Sequence, residues 1–319
     1  MRVLRELTNS PPDPDTAHYI HTLQSSNSMT ISIQTALLTT QLQLEGHSDA
    51  PQREAEWLIE HITGQRQSLL IPNETVALTA HQAQQLTTLI SRRIAGEPLA
   101  YVLGEQPFWT LNLKVDPAVL IPRPETELLV ERTLHHLSKD RHDTLLELGT
   151  GSGAVALAIA TERPNLHIVA TDYSIAALNL ARSNAALNNL SNIHFLHSNW
   201  FIDIPPQTFS VILSNPPYIA EDDPHVDQSV RNHEPHLALF SGSDGMNALR
   251  QIIHSSPSYL SEGGWLILEH GWQQAAPVRE ILESVGFSSV ASHPDLTGHL
   301  RITEGQWLTS NPVTLSINH

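Results

Sequence analysis

The chain of 319 residues exceeds the roughly 100 to 200 residues usual for one domain, so a catalytic domain with a smaller companion is the first expectation. Its 40% hydrophobic and 16% charged residues suit a buried core, and no apolar run reaches the roughly 18 residues of a membrane span. The lack of any cysteine excludes disulfides, thiolate nucleophiles and cysteine-ligated zinc, and a net charge of -16 with only 17 Lys and Arg argues against a large nucleic-acid footprint, which needs clustered cations.

Residues 1–28 are rich in Ser, Pro, Asp and Thr without helical periodicity, which predicts a flexible arm ahead of Met29. No apolar stretch follows the basic residues near the start, so no secretory signal is read there, and cytoplasmic residence without a membrane partner is expected. From Ile31 to Ala95 the pattern is helical. Ala55, Leu58, Ile59 and Ile62 recur on one face, with Asp49 as candidate N-cap and Pro51 in the first turn; a second helix runs from a Thr79 cap to a stop at Gly96. These define a helical domain over 29–98. Between 99 and 122 short alternating runs such as Leu111 to Val115, flanked by Gly and Pro, predict a hairpin linker.

After Pro124 a helix over 125–137 opens a regular alternation, assigned to a domain over 123–310. Strands are expected at 144–148, 167–171, 193–197, 209–214 and 265–269, and helices at 154–162, 174–187, 246–259 and 275–285, before a final strand pair. Such alternation predicts an α/β fold with a doubly wound, mostly parallel sheet and helices on both faces. Ligands of such sheets bind beyond the carboxyl ends of the strands, where strand order reverses.

Chemistry concentrates at three strand ends. In Leu145 to Gly153, LLELGTGSG, glycines 149, 151 and 153 let the backbone turn tightly and approach a ligand with no Cβ between. The same residues with Ala154 also satisfy the G-x-G-x-x-G/A dinucleotide pattern. Asp172 follows about 20 residues later, where a carboxylate accepts from the ribose hydroxyls of NAD and of S-adenosylmethionine alike, or caps the next helix. NPPY, Asn215 to Tyr218, separates the two cofactor readings. Its prolines fix an extended exit from the strand and remove two amide donors. The Asn215 side-chain oxygen and the Pro216 carbonyl can then accept from a planar NH2 group, beside the aromatic face of Tyr218. The 19 histidines are scattered and form no H-E-x-x-H or comparable ligand set, so no metal is expected.

A glycine-rich loop paired with Asn-Pro-Pro-aromatic resembles the amino-methyltransferases. With PFW (Pro107 to Trp109), IPRPETE (Ile121 to Glu127) and LEHGWQQ (Leu268 to Gln274) added, residues from about Met29 to Trp307 resemble the release factor glutamine methyltransferases. That resemblance implies a class I methyltransferase domain after a helical substrate-recognition domain, and S-adenosylmethionine as cofactor. It implies protein methylation at the N5 amide of the Gly-Gly-Gln glutamine of peptide chain release factors, in translation termination. It further implies cofactor contacts from Glu147, Gly149, Thr150, Gly151, Ser152, Gly153, Asp172, Asn199, Trp200 and Asn215. Asn215, Pro216, Pro217 and Tyr218 would hold the glutamine, with Asn215, Pro216 and Tyr218 as catalytic residues. Two positions depart from the family pattern: Glu147 stands where Asp is frequent, and Asn199 where an acid is frequent. Three rival activities carry their own demands. Methylation of a large-subunit ribosomal protein calls for a different IPRPETE segment, base methylation calls for base flipping in a basic groove, and an NAD-dependent oxidoreductase leaves NPPY unexplained.

Overall fold

The computed structural model describes residues 31–65, 77–137 and 143–308; the arm expected at 1–28 lies outside them. The chain divides into two compact units between Leu103 and Gly104.

The first unit comprises β1 (Ile31–Ser32), α1 (Ile33–Leu44), α2 (Pro51–Thr63), β2 (Ala77–Leu78), α3 (Ala80–Ile94) and α4 (Leu99–Leu103). Leu44, Leu58, Ile59, Leu78, Leu86, Ile90 and Val102 form its core. The α2 face follows the expected spacing of Ala55, Leu58 and Ile59, all buried. Asp49 is not its cap. Ala50 holds that position without a side-chain bond, because Pro51 at N1 fixes the helical start directly behind it. Thr79 does cap α3, in a reciprocal box with Gln82. Arg93 joins α3 to α2 through both oxygens of Glu54, at 2.8 and 3.1 Å.

Residues 99–103, expected within the linker, instead form α4, whose Leu99, Val102 and Leu103 pack on the first unit's core. The hairpin is confined to β3 (Glu105–Phe108) and β4 (Leu111–Lys114), and Trp109 takes the left-handed φ of 56° at its turn.

The second unit continues with a 3-10 turn at Pro124–Thr126, α5 (Glu127–His136), β5 (Thr144–Leu148), α6 (Ala154–Glu162), β6 (His167–Asp172), α7 (Ile175–Leu187), β7 (Ile193–His197) and β8 (Phe209–Ser214). Then come α8 (Gln228–His233), α9 (His236–Leu239), α10 (Asn247–Ser255), a 3-10 turn at Ser256–Tyr259, β9 (Leu260–Glu269), α11 (Ala275–Val285), β10 (Ser288–Pro294) and β11 (Leu300–Gln306). The sheet has seven strands in the order β10, β11, β9, β8, β5, β6, β7. Strands β5 to β9 run parallel and β11 is antiparallel to both neighbours. From β5 the chain winds outward through β6 and β7, then returns to β8 on the other side of β5. The β5/β8 boundary is therefore the switch point where a ligand crevice opens.

Both faces of the sheet are covered, as doubly wound strands require. Leu145 of β5 packs with α5 and α6 on one face, while Leu146 and Leu148 pack with α10 and α11 on the other. The expected helix over 246–259 ends early because Pro257 enters a 3-10 turn. β9 starts at Leu260 rather than Trp265, with a register shift near the Gly263–Gly264 pair. The helices α8 and α9 had no counterpart in the sequence reading, since segments of six and four residues are too short for a helical period to register. Among the described residues no helix is long and apolar enough to cross a membrane.

Candidate active site

The loop after β5 is shaped by backbone. Gly149, Gly151 and Gly153 have φ of 73°, 56° and 86°, in the left-handed region that strains other residues. Thr150 N donates to Thr171 O at 2.8 Å, and Gly151 N donates to Asp172 Oδ2 at 2.8 Å. The other carboxylate oxygen of Asp172 accepts from Ser174 N at 2.8 Å. Asp172 is thus no helix cap: Ser174 caps α7 with its own hydroxyl, and Asp172 pins the glycine loop to the start of that helix. Burial pushes the Asp172 carboxyl up, against the backbone donors that hold it down.

Glu147 is enclosed at the end of β5 and accepts from Thr150 Oγ1 at 2.5 Å. Burial, only partly offset by Thr150, pushes its carboxyl up to about 8. Asn184 of α7, also fully buried, braces the loop from behind. Its Nδ2 donates to Ser152 O and Lys114 O at 2.9 and 3.0 Å, and its Oδ1 accepts from Lys114 N at 2.8 Å. One amide thereby ties β4 to the glycine loop.

The loop after β8 is shaped by side chains. Asn215 Nδ2 donates to Thr126 Oγ1 at 3.2 Å, which turns its Oδ1 away from that bond. Tyr218 donates from its hydroxyl to Glu269 Oε1 at 3.3 Å, and Gln274 Nε2 donates to Tyr218 O at 2.9 Å. A Cβ on Gly245 would meet Tyr218 O at 2.3 Å, so only glycine lets that segment lie against the NPPY backbone.

A cavity of about 540 Å³ lies at the switch point. Of the residues singled out in the sequence, Glu147, Gly149, Thr150, Gly151, Ser152, Asp172, Asn199, Trp200, Asn215 and Pro217 line it. Gly153, Pro216 and Tyr218 are not in its lining. A Cβ at Gly153 would come within 3.0 Å of Leu157 and 3.2 Å of Ala181, so this glycine serves the packing of α6 against α7. Pro216 is a buried residue, and the Tyr218 hydroxyl is bonded to Glu269. Two further stretches of wall come from Val119, Pro122, Arg123 and Thr126 before α5, and from Leu237 and Phe240 around α9. Arg123 and Ile121 N both bond to the buried carboxylate of Glu234, joining these two segments. No local pattern marks the second stretch in the sequence; the first carries IPRPETE, a recognisable segment with no chemistry legible in it.

The lining fits an adenosine-type sulfonium cofactor. Its volume lies in the roughly 300 to 1,000 Å³ range of small-molecule sites, Gly151 has open space where a Cβ would stand, and both Asp172 oxygens keep lone pairs beyond those used by the backbone.

Comparison with known proteins agrees. The Methyltransferase small domain family matches residues 125–233, and the PrmC N-terminal domain family matches residues 35–104. The release factor glutamine methyltransferase of Coxiella burnetii is 44% identical, covering 85% of this chain and 98% of that protein. That of Escherichia coli is 44% identical over 82% of this chain and 94% of that protein, and that of Yersinia pestis 46% over the same shares. Among solved structures, the hMettl16 catalytic domain in complex with a 3′UTR hairpin aligns with a TM-score of 0.52 at 15% identity, covering 72% of this chain and 81% of that one; this likeness bears on the fold alone. With the switch-point cavity, the glycine loop and NPPY in place, these matches make the chain a member of the release factor glutamine methyltransferase family, a class I methyltransferase that uses S-adenosylmethionine.

Proposed function

We propose that this enzyme methylates the side-chain amide nitrogen, N5, of the Gly-Gly-Gln glutamine in peptide chain release factors, acting in the cytoplasm. The observation that carries the reading is the setting of Asn215 in the cavity wall. Its NH2 is committed to Thr126, so its oxygen is the atom left to accept from a substrate NH2. The relatives, release factor glutamine methyltransferases, point to the class of protein substrate.

Bound S-adenosylmethionine supplies an electrophilic methyl group on positively charged sulfur. The amide nitrogen of glutamine is a weak nucleophile because its lone pair is delocalised into the carbonyl. Asn215 Oδ1 and the Pro216 carbonyl accept its two N–H groups, orient the nitrogen and stabilise positive charge as it develops there. Asp172 and the Gly149–Gly153 loop hold the cofactor, with Asn199 and Trp200 on the adenine side. Tyr218 acts from behind the loop, through Glu269. The helical domain over 29–98 recognises the release factor, since one glutamine must be distinguished from many and a small pocket cannot do that alone.

The test incubates the enzyme with labelled S-adenosylmethionine and a release factor, beside a copy whose Gly-Gly-Gln glutamine is alanine, and maps the methyl group by mass spectrometry. Methyl on that glutamine alone is the expected result. Equal labelling of the alanine copy, or labelling of ribosomal protein or nucleic acid in its place, overturns the reading.

A further inference from the structure

Glu269, the partner of the Tyr218 hydroxyl, is a buried carboxyl with a second oxygen whose role the Tyr218 contact does not explain. Glu269, the last residue of β9, is 2% exposed. No cation pairs with it among the described residues. Its Oε1 accepts from Tyr218, and its Oε2 is enclosed without a hydrogen bond of regular geometry. Thr126, a residue 4% exposed, is first among the groups whose hydrogen bonding holds this carboxyl down against burial. Thr126 is also the acceptor for Asn215 Nδ2. A hydroxyl has one proton and two lone pairs, so where its proton points decides which end of the Asn215 amide it can bind.

We propose that Glu269 is a positioning residue: its ionised carboxylate draws the Thr126 proton, leaves the Thr126 oxygen to accept from Asn215 Nδ2, and so locks Asn215 with Oδ1 toward the substrate. The proposal rests on Asn215 being the amide holder. A protonated Glu269 can instead donate to Thr126, whose own proton is then released to Asn215 Oδ1. The amide turns over and presents NH2 to NH2, which is repulsive. Tyr218 completes the frame, so that both ends of NPPY refer to one carboxyl.

Burial pushes Glu269 up to about 7, against the pull of Thr126, Tyr218 and Arg301, while Glu125 adds to the rise. Arg123 acts on the Tyr218 hydroxyl through its charge. With Glu269 raised by burial, the relay predicts that activity rises with pH as this carboxyl ionises.

The experiment compares kcat, cofactor Kd and the pH profile of kcat for wild type, Glu269→Gln, Thr126→Val, Thr126→Ser and Asn215→Ala, each checked for a native melting transition. Thr126→Val should lose roughly 10- to 10²-fold in kcat, the scale of a misplaced catalytic contact, with cofactor Kd within about 2-fold of wild type. Thr126→Ser, which keeps the hydroxyl, should restore most of it. Glu269→Gln should abolish the fall in kcat on the acid side. An unchanged acid limb in Glu269→Gln, or wild-type kcat in Thr126→Val, overturns the relay provided Asn215→Ala is impaired. Wild-type turnover by Asn215→Ala instead overturns the reading of the site on which the relay rests. Should Glu269→Gln not fold, the Thr126 pair decides alone.

Discussion

The two loops that meet at the switch point are built on opposite plans. The loop after β5 is held by main-chain geometry: three glycines at positive φ, with backbone amides bonded to Thr171 O and Asp172. The loop after β8 has two prolines that remove its amides, and its Asn215 amide is held by a side chain, Thr126. The first plan suits a ligand bound by many modest contacts. The second suits one acceptor whose direction matters for the transition state. Damage to the two loops should therefore appear in different measurements.

The largest separation is expected from Asn215→Ala. It should lower kcat by about 10²-fold or more, on the scale of losing one preorganised polar group, while cofactor affinity measured by calorimetry stays within a few-fold. An equal loss in affinity would erase the distinction between the loops. Asp172→Asn should do the reverse. If Asp172 holds the cofactor as proposed, loss of this charged acceptor costs about 1.5 to 3 kcal/mol, seen as a roughly 10- to 10²-fold weaker cofactor Kd with a smaller change in kcat at saturation.

Gly153→Ala sharpens the contrast within the first loop, because this glycine faces the helix packing and not the cavity. Its φ of 86° and the 3.0 Å approach to Leu157 predict about 2 kcal/mol of lost stability in urea unfolding, with cofactor affinity little changed once the protein is folded.

The last contrast is a pH slope. Glu147 is raised by burial from 4.5 to about 8. A carboxyl raised on folding favours the folded state below its unfolded value, and that contribution is lost as pH rises toward the folded one. Glu147→Gln should therefore flatten the decline in stability between about pH 4.5 and 8. Glu304 supplies an internal contrast. Although burial opposes it, bonding from His136 and Arg132 holds Glu304 down to about 2. Its contribution is present above pH 4.5 and lost as pH falls toward 2, a window that Glu147→Gln leaves untouched. Thermal melts across pH 2 to 9 for the wild type and this variant would separate the two.

Much of the fold was legible because the relevant signals are local. β5, β7, β8, α6 and α11 begin and end where the periodicity and the flanking Gly, Pro and polar residues put them. Boundaries moved where a neighbour overrode the pattern, as when Pro257 ended α10 early and the core of the first unit captured residues 99–103 as α4. The strand-end residues were legible for the same reason: glycines at a turn, an acid on the next strand and NPPY announce their backbone demands in one short stretch.

By itself, then, the sequence determined the alternation of strands and helices, the glycine loop, Asp172 and the Asn-Pro-Pro-Tyr exit, since each is a demand on backbone conformation within a few residues. Only the tertiary structure decided how those residues divide their work. It set Gly153 to packing and Tyr218 to Glu269 rather than to the cavity. It also placed Thr126, 89 residues from Asn215, as the partner that orients it, and brought Arg123 to Glu234 across 111 residues. Such pairings arise from strand order and the packing of distant segments, and no local pattern of side chains encodes them.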